Sequence, residues 1–238
     1  MNNELQKVSD QLSRMITSAR VMERVDVSYL DEILLDSEGF LKPVSASQIA
    51  DVEQTHIAQW CTLNAIYQLP TIELIEWLKN AIGDRTAIEI CAGKSGIGKA
   101  LGIVSTDSYS QTLPELRSYF ALAQVPIVEP PEYVKKMDAN VAVTSYKPKV
   151  VIGSFVTQKF QEGDAENNIG SNIYGPDESD ILALAETYIH VGNEITHKDK
   201  RILARPHESF SFDWVRSRAF NKDKNVIWVW NKSPKEDS

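Results

Sequence analysis

Cysteine is nearly missing from this chain: Cys61 and Cys91 are the only two in 238 residues. So low a count excludes a disulfide framework or a cysteine-rich metal site, and both thiols are expected to be reduced. Positive charge is also in short supply. Twenty-five Lys and Arg stand against 33 Asp and Glu, giving a net charge of −8 and a pI near 5.1. No run of basic residues forms a stripe that could follow a phosphate backbone, so nucleic-acid binding is not expected. Nowhere do eighteen apolar residues run together, and the opening MNNELQKVSDQL has neither a basic nor an apolar leader region. The expected setting is therefore cytoplasmic, away from a membrane. Internal repeats and low-complexity tracts are absent from the sequence as well.

What is present divides near residue 84. With 42% hydrophobic residues the chain can bury a sizeable core. In residues 1–83 the apolar spacing is helical. Leu5, Val8, Leu12, Met15, Ile16, Ala19 and Met22 make one stripe. A second helix is expected from about Ser47 through QIADVEQTHIAQWCTLNAIYQ, after the turn-rich DSEGFLKPVSAS. A third should start at an N-cap, Thr71, bury Ile72, Ile75, Leu78 and Ile82, and stop at Gly83. This region is expected to form a helical cap. Residues 84–238 alternate short apolar runs with helical patterns, the mark of an α/β domain with a mostly parallel sheet. The candidate strands are TAIEICA, GIVST, VPIVE, KVVIGSF, TYIHVGN, RILARP and NVIWVWN. A short helical patch, SFDWVRSRAF, separates the last two, which are expected to pair antiparallel. The longest polar connection, QKFQEGDAENNIGSNIYGPDESD, is expected to supply a mobile lid over Phe160 to Asp177, with Tyr174 closing on a ligand.

The glycine loop in AIEICAGKSGIGKALGIVSTDS can be punctuated three ways. As a phosphate-binding P-loop, Gly93, Gly98 and Lys99 fit, but Ala100 replaces the hydroxyl that binds magnesium. As the loop of an NAD-linked short-chain dehydrogenase it lacks one residue between Gly93 and Gly96. No tyrosine stands four positions before a lysine there: Tyr133 is followed by Met137 and Tyr146 by Val150. The third reading takes Glu89 as an acid ending the first strand and Asp107, eighteen residues on, as an acid ending the second. Gly93 and Gly96 let backbone approach a ligand, and an acid at the second tip can accept hydrogen bonds from both ribose hydroxyls of an adenosine. Asp138, before a helical turn, offers a third acid near the adenine.

This arrangement resembles the class I S-adenosylmethionine-dependent methyltransferases over residues 85 to 230. The resemblance implies a Rossmann-like, mostly parallel seven-stranded sheet closed by an antiparallel C-terminal strand pair, with S-adenosylmethionine as cofactor. It implies cofactor contacts from Glu89, Ala92, Gly93, Gly96, Asp107, Ser108, Asp138, Ala139 and Ser154. The chain departs from the family in carrying Cys91 where glycine is usual.

Residues past the fourth and fifth strand tips should face the acceptor, since open α/β sheets bind ligands there. Thr157, Tyr174 and Asn193 are candidate acceptor contacts, and Glu194, after the fifth strand, and His207, at the end of the sixth, are candidate general bases. Plainer roles compete for each. Ser154 or Thr157 could cap the following turn, Asn193 and Glu194 could form an exposed turn, and His197 lies in a charged loop. His190 reads as a core histidine. A zinc site from His190, Glu194, His197 and His207 matches no familiar ligand spacing, so no metal is expected. Trp214, Trp228 and Trp230 read as packing. The acceptor is a small molecule or a protein, and a homodimer stays open. Two other functions compete: a non-catalytic binding or regulatory module of the same fold, and an NAD-linked oxidoreductase. The first is kept by the reading GSFV after the fourth strand, where base-amino methyltransferases carry [DN]-P-P-[YF].

Overall fold

The computed structural model describes residues 25–123 and 126–231. The helix expected over residues 5–22 lies outside them. The first described helices are α1 (Leu30–Leu34), α2 (Gln54–Leu63) and α3 (Ile72–Ile82). The helix expected from Ser47 is split. Ser45 and Gln48 close a capping box around a 3₁₀ turn at Ala46–Ile49, and α2 starts separately at Gln54. It ends at Leu63, just before Ala65 turns left-handed at φ 53°. Helix α3 follows its local signals. The Thr71 Oγ accepts from Leu74 N at 3.3 Å, and Gly83 ends the helix at φ 57°. Leu74, Ile75, Leu78 and Ile82 form the buried face, whereas Ile72, expected inside, is 40% exposed at the first turn.

Seven strands follow: β1 (Ala87–Ile90), β2 (Val104–Asp107), β3 (Val134–Lys136), β4 (Val150–Ser154), β5 (Thr187–Asn193), β6 (Glu208–Phe210) and β7 (Asn225–Asn231). They form one sheet in the order β3-β2-β1-β4-β5-β7-β6. β1 to β5 are parallel, with Ile88 level with Val104 on one side and Val151 on the other. β7 runs antiparallel to β5, with Ile189 beside Val229, and β6 antiparallel to β7. This is a Rossmann-like α/β sheet with an antiparallel C-terminal pair. Helices α4 (Ile97–Leu101), α5 (Pro114–Ala123), α6 (Ala139–Tyr146) and α7 (Glu178–Leu184) connect the strands.

Strand residues alternate between two cores, as the period of two requires. Ile88, Ile90, Val151, Tyr188, Trp228 and Trp230 pack with α6 and α7. Val150, Ile152, Ile189, Val191, Ile227 and Val229 pack with α3 on the other face. A third cluster, with Leu30, Leu34, Ile57, Trp60 and Leu69, belongs to the N-terminal region. Trp228 and Trp230 are both buried, stacked on His190 and Tyr188 at 5.6 and 5.5 Å.

Three expected elements are different. VPIVE is no strand: residues 126–130 are irregular and β3 starts at Val134, because Pro126, Pro130 and Pro131 remove ladder donors. RILARP forms a 3₁₀ turn at Arg201–Ala204, which lets Ile202 reach the core and Arg201 reach Asp164, and β6 begins only at Glu208. SFDWVRSRAF is not helical. Its carbonyls are taken by the N-terminal region: Leu69 N and Gln68 Nε2 donate to Arg216 O, and Gln54 Nε2 donates to Ser217 O and Ala219 O.

Candidate ligand-binding site

A cleft of roughly 790 Å³, including its open mouth, lies at the C-terminal ends of β1, β2 and β4. Strand order reverses there, the place where open α/β sheets take ligands. The glycine loop forms the floor, with Cys91, Ala92, Gly93, Lys94 and Ser95 all bordering the space. Gly93 sits at φ 51°, and a Cβ there would come within 3.2 Å of the Val128 side chain across the cleft. Cys91 adopts φ 50°, a left-handed backbone that glycine favours, so its side chain is held there at a cost in strain. Phe155, the residue after β4, is likewise left-handed at φ 51°. Strained residues thus follow the tips of both strands that flank the reversal.

The two tip acids have different tasks. Glu89 is almost fully buried and its carboxylate accepts from Ser95 Oγ at 2.5 Å, Ser105 Oγ at 2.8 Å and Gly98 N at 2.8 Å. Burial pushes its carboxyl above the usual range against the pull of those donors. It ties the loop to β2 and does not border the cleft. Gly98 is required beneath it, since a Cβ would sit 2.0 Å from Ser105 Oγ and 2.7 Å from Glu89 Oε2. Asp107 does border the cleft. One oxygen accepts from Gly93 N at 3.0 Å and the other from Tyr109 N at 2.8 Å, which leaves each oxygen with further acceptor capacity. Burial raises its pKa as well.

Of the other expected cofactor contacts, Ala92, Ser108 and Ser154 border the cleft. Gly96 packs against Leu41 O as the left-handed N-cap of α4. Asp138 is exposed and caps α6, accepting from Asn140 N and Val141 N, with Ala139 buried behind it. Neither acid nor alanine reaches the cleft.

The β4 side is formed by Ser154, Phe155, Val156 and Thr157, and Tyr67 and Tyr174 line the same cleft. The Ser154 Oγ is buried and has no hydrogen-bond partner among the described residues. Behind this wall, Lys200 Nζ donates to Val156 O at 2.8 Å and pairs with Glu178 at 2.7 Å, both side chains buried. Tyr188 Oη donates to Glu178 at 2.8 Å, and Val156 N donates to His190 Nε2 at 3.2 Å. His197, expected in a solvated loop, is buried against Phe155 and His190 at ring distances of 5.1 and 4.8 Å. Burial and the neighbouring Lys200 charge push its pKa down to about 3. Among the described residues, no group of three or more His, Cys, Asp or Glu is placed to hold a metal ion.

Glu194 and His207 do not reach the cleft. Glu194 is exposed and pairs with Lys224 at 3.3 Å. His207 precedes β6 instead of ending a strand. Glu208 is level with Val229 and hence with Ile189, so His207 lies toward the N-terminal end of β5, its ring 5.4 Å from Trp230. Asn193 is buried away from the cleft, bonding Asn221, Asn225, Ile195 and Thr196. Sequence reasoning passed over Tyr67, Lys94, Gln111, Val128 and Phe155, which all line the space. Lys94 stood within the glycine loop, so its position was readable. Tyr67 arrives from the N-terminal region, and nothing local marks it.

No family model matches the chain, and no curated protein matches it in sequence. Among solved structures, a protein from Thermoplasma acidophilum aligns at TM-score 0.34 and 13% identity, covering 68% of this chain and 87% of its own. A provisionally named RNA methyltransferase from Pyrococcus horikoshii aligns at TM-score 0.32 and 8% identity, covering 68% and 81%. At those values neither likeness assigns an activity. No helix among the described residues is long and apolar enough to cross a membrane.

Proposed function

We propose that this chain binds S-adenosylmethionine in the cleft and transfers its methyl group to a small-molecule or protein acceptor. The observation that carries the reading is Asp107: it ends β2 beside the glycine loop, faces the cleft, and keeps free acceptor capacity on both oxygens. Two ribose hydroxyls suit that carboxylate. Ser108, Gln111 and Val128 would border the base, and Ala92 and Gly93 bring backbone close to the rest of the ligand. Gly93 fits the role because a side chain there would close the gap to Val128. S-adenosylmethionine, when bound, supplies a methyl group already activated on sulfur. The protein then needs mainly to hold and orient the acceptor and to limit water. Ser154, Thr157 and Tyr174, on the β4 side, are placed for that task.

The phosphate-binding reading loses its lysine: Lys99 lies over the Phe40 ring at 4.6 Å and 3.5 Å from Asp36, outside the cleft. A second reading, a binding module without turnover, is favoured by one observation. Neither Glu194 nor His207 borders the cleft as a base. The test is calorimetry with S-adenosylhomocysteine. Asp107→Ala should weaken binding by about 1–3 kcal/mol with the fold retained. Equal affinity in wild type and variant would remove Asp107 from the ribose role.

A further inference from the structure

On the proposed reading, the half of the cleft beyond the glycine loop receives the acceptor, and its walls have a particular composition. Tyr67 and Tyr174 line the cleft together with the residues after β4, where Phe155 is held in its left-handed conformation. The Tyr67 and Phe155 ring centroids are 6.2 Å apart at 47°. Phe155 is fixed from behind: its N–H donates to Val191 O at 2.9 Å and its ring packs edge-on against His197. Tyr67 is fixed as well. The Arg218 guanidinium lies 3.7 Å over its ring and Arg218 N donates to Tyr67 O at 3.0 Å. One face of Tyr67 is therefore taken by a cation, and the other face or its edge is what it can offer to the cleft. Ser154 lines the same cleft, 7% exposed, its hydroxyl without a partner among the described residues. A buried hydroxyl left unpaired costs free energy, which a ligand atom would recover once the Ser154 side chain turns toward it. Lys94 adds a cation at the rim, its Nζ held 3.0 Å from Asn64 O.

We propose that this half of the cleft binds a flat aromatic ring carrying a hydrogen-bonding heteroatom, the ring stacked on Tyr67 and the heteroatom at Ser154 Oγ. Rigid aromatic walls recognise a planar ring through offset or edge-to-face contacts that a saturated ring of equal size cannot make. That orphaned hydroxyl sets the ring's orientation. Arg218 and Lys94 disfavour a cationic ring.

A matched pair of uncharged probes tests this: 2-naphthol and its saturated counterpart decahydro-2-naphthol, titrated by NMR in the presence and absence of S-adenosylhomocysteine. The wild-type protein should bind the aromatic probe about three- to tenfold more tightly. Tyr67→Phe should retain that preference and Tyr67→Leu should abolish it, with both variants keeping the wild-type circular dichroism spectrum. Ser154→Ala should weaken 2-naphthol severalfold. Equal affinity for the two probes, binding of neither, or a preference that survives Tyr67→Leu would overturn the proposal. Because S-adenosylhomocysteine binding is read separately, its loss in wild type would overturn the methyltransferase reading instead.

Discussion

Val156 is gripped at both ends of its backbone, by Lys200 at its carbonyl and by His190 at its N–H. A buried Lys–Glu pair is costly to assemble, so its placement directly behind a cleft wall suggests positioning more than stability. The histidines beside it make that wall sensitive to acid. His197 has a folded pKa of about 3, and burial holds His190 well below its ordinary value. The unfolded value is near 6.5, so the stabilisation is complete above that pH and is lost as pH falls from 6.5 toward 3. Each neutral buried histidine adds up to about 1.4 kcal/mol per pH unit to the slope over that window. Urea unfolding at pH 7, 6, 5 and 4 should therefore show a shallower decline in His197→Gln than in wild type. Identical slopes would mean that His197 is charged or exposed in the folded protein.

The segment from Phe155 to Asp177 behaves as one structural unit between β4 and α7. It is polar but well connected: Lys159 N donates to Pro176 O, Phe160 N to Asn172 O and Asn172 N to Gln158 O. Arg201 fastens it from outside through the Asp164 carboxylate and Lys159 O. The firmest outside ties lie at its two ends, from Val191, His190 and Lys200 to Phe155 and Val156, from Asp199 and Arg201 to Gln158, and from Asn140 to Asp177, so the stretch between them is expected to open more easily than the sheet. Limited proteolysis should cut first between residues 160 and 177, and Arg201→Met should speed that cut severalfold by loosening about 1–2 kcal/mol of attachment. Cleavage elsewhere first, unaffected by Arg201→Met, would contradict this role. Elements with local signals were readable from the chain. Helix α3 has a cap, an apolar face and a glycine stop in one stretch, and β1, β4, β5 and β7 are dense apolar runs. β6 was not, because three mostly exposed edge residues carry no pattern of their own and depend on β7 for pairing. The same division holds at the cleft. Gly93 and Asp107 border it through spacing visible in sequence, whereas Tyr67 and Arg218 meet only through folding. Glu194 and His207 lie outside the cleft, and their positions depend on register and on where a strand begins.

Taken together, the chain places two unlike surfaces on one cleft. Toward β1 and β2 are a glycine loop and an acid with unused acceptor capacity; toward β4 are aromatic rings and an unpaired hydroxyl. The N-terminal region contributes Tyr67 and the Asn64 carbonyl that holds Lys94, so it is part of the cleft's construction. Nothing in the loop reproduces a complete phosphate site, since Lys99 is engaged with Asp36 and Phe40. Calorimetric titration of the purified protein with S-adenosylmethionine, NAD and magnesium–ATP in parallel decides among the ligands this geometry could serve. Saturable binding of S-adenosylmethionine at micromolar concentration, with the other two at least tenfold weaker, is the expected result. Magnesium-dependent binding of ATP, or tight binding of NAD, with no response to S-adenosylmethionine would contradict the assignment.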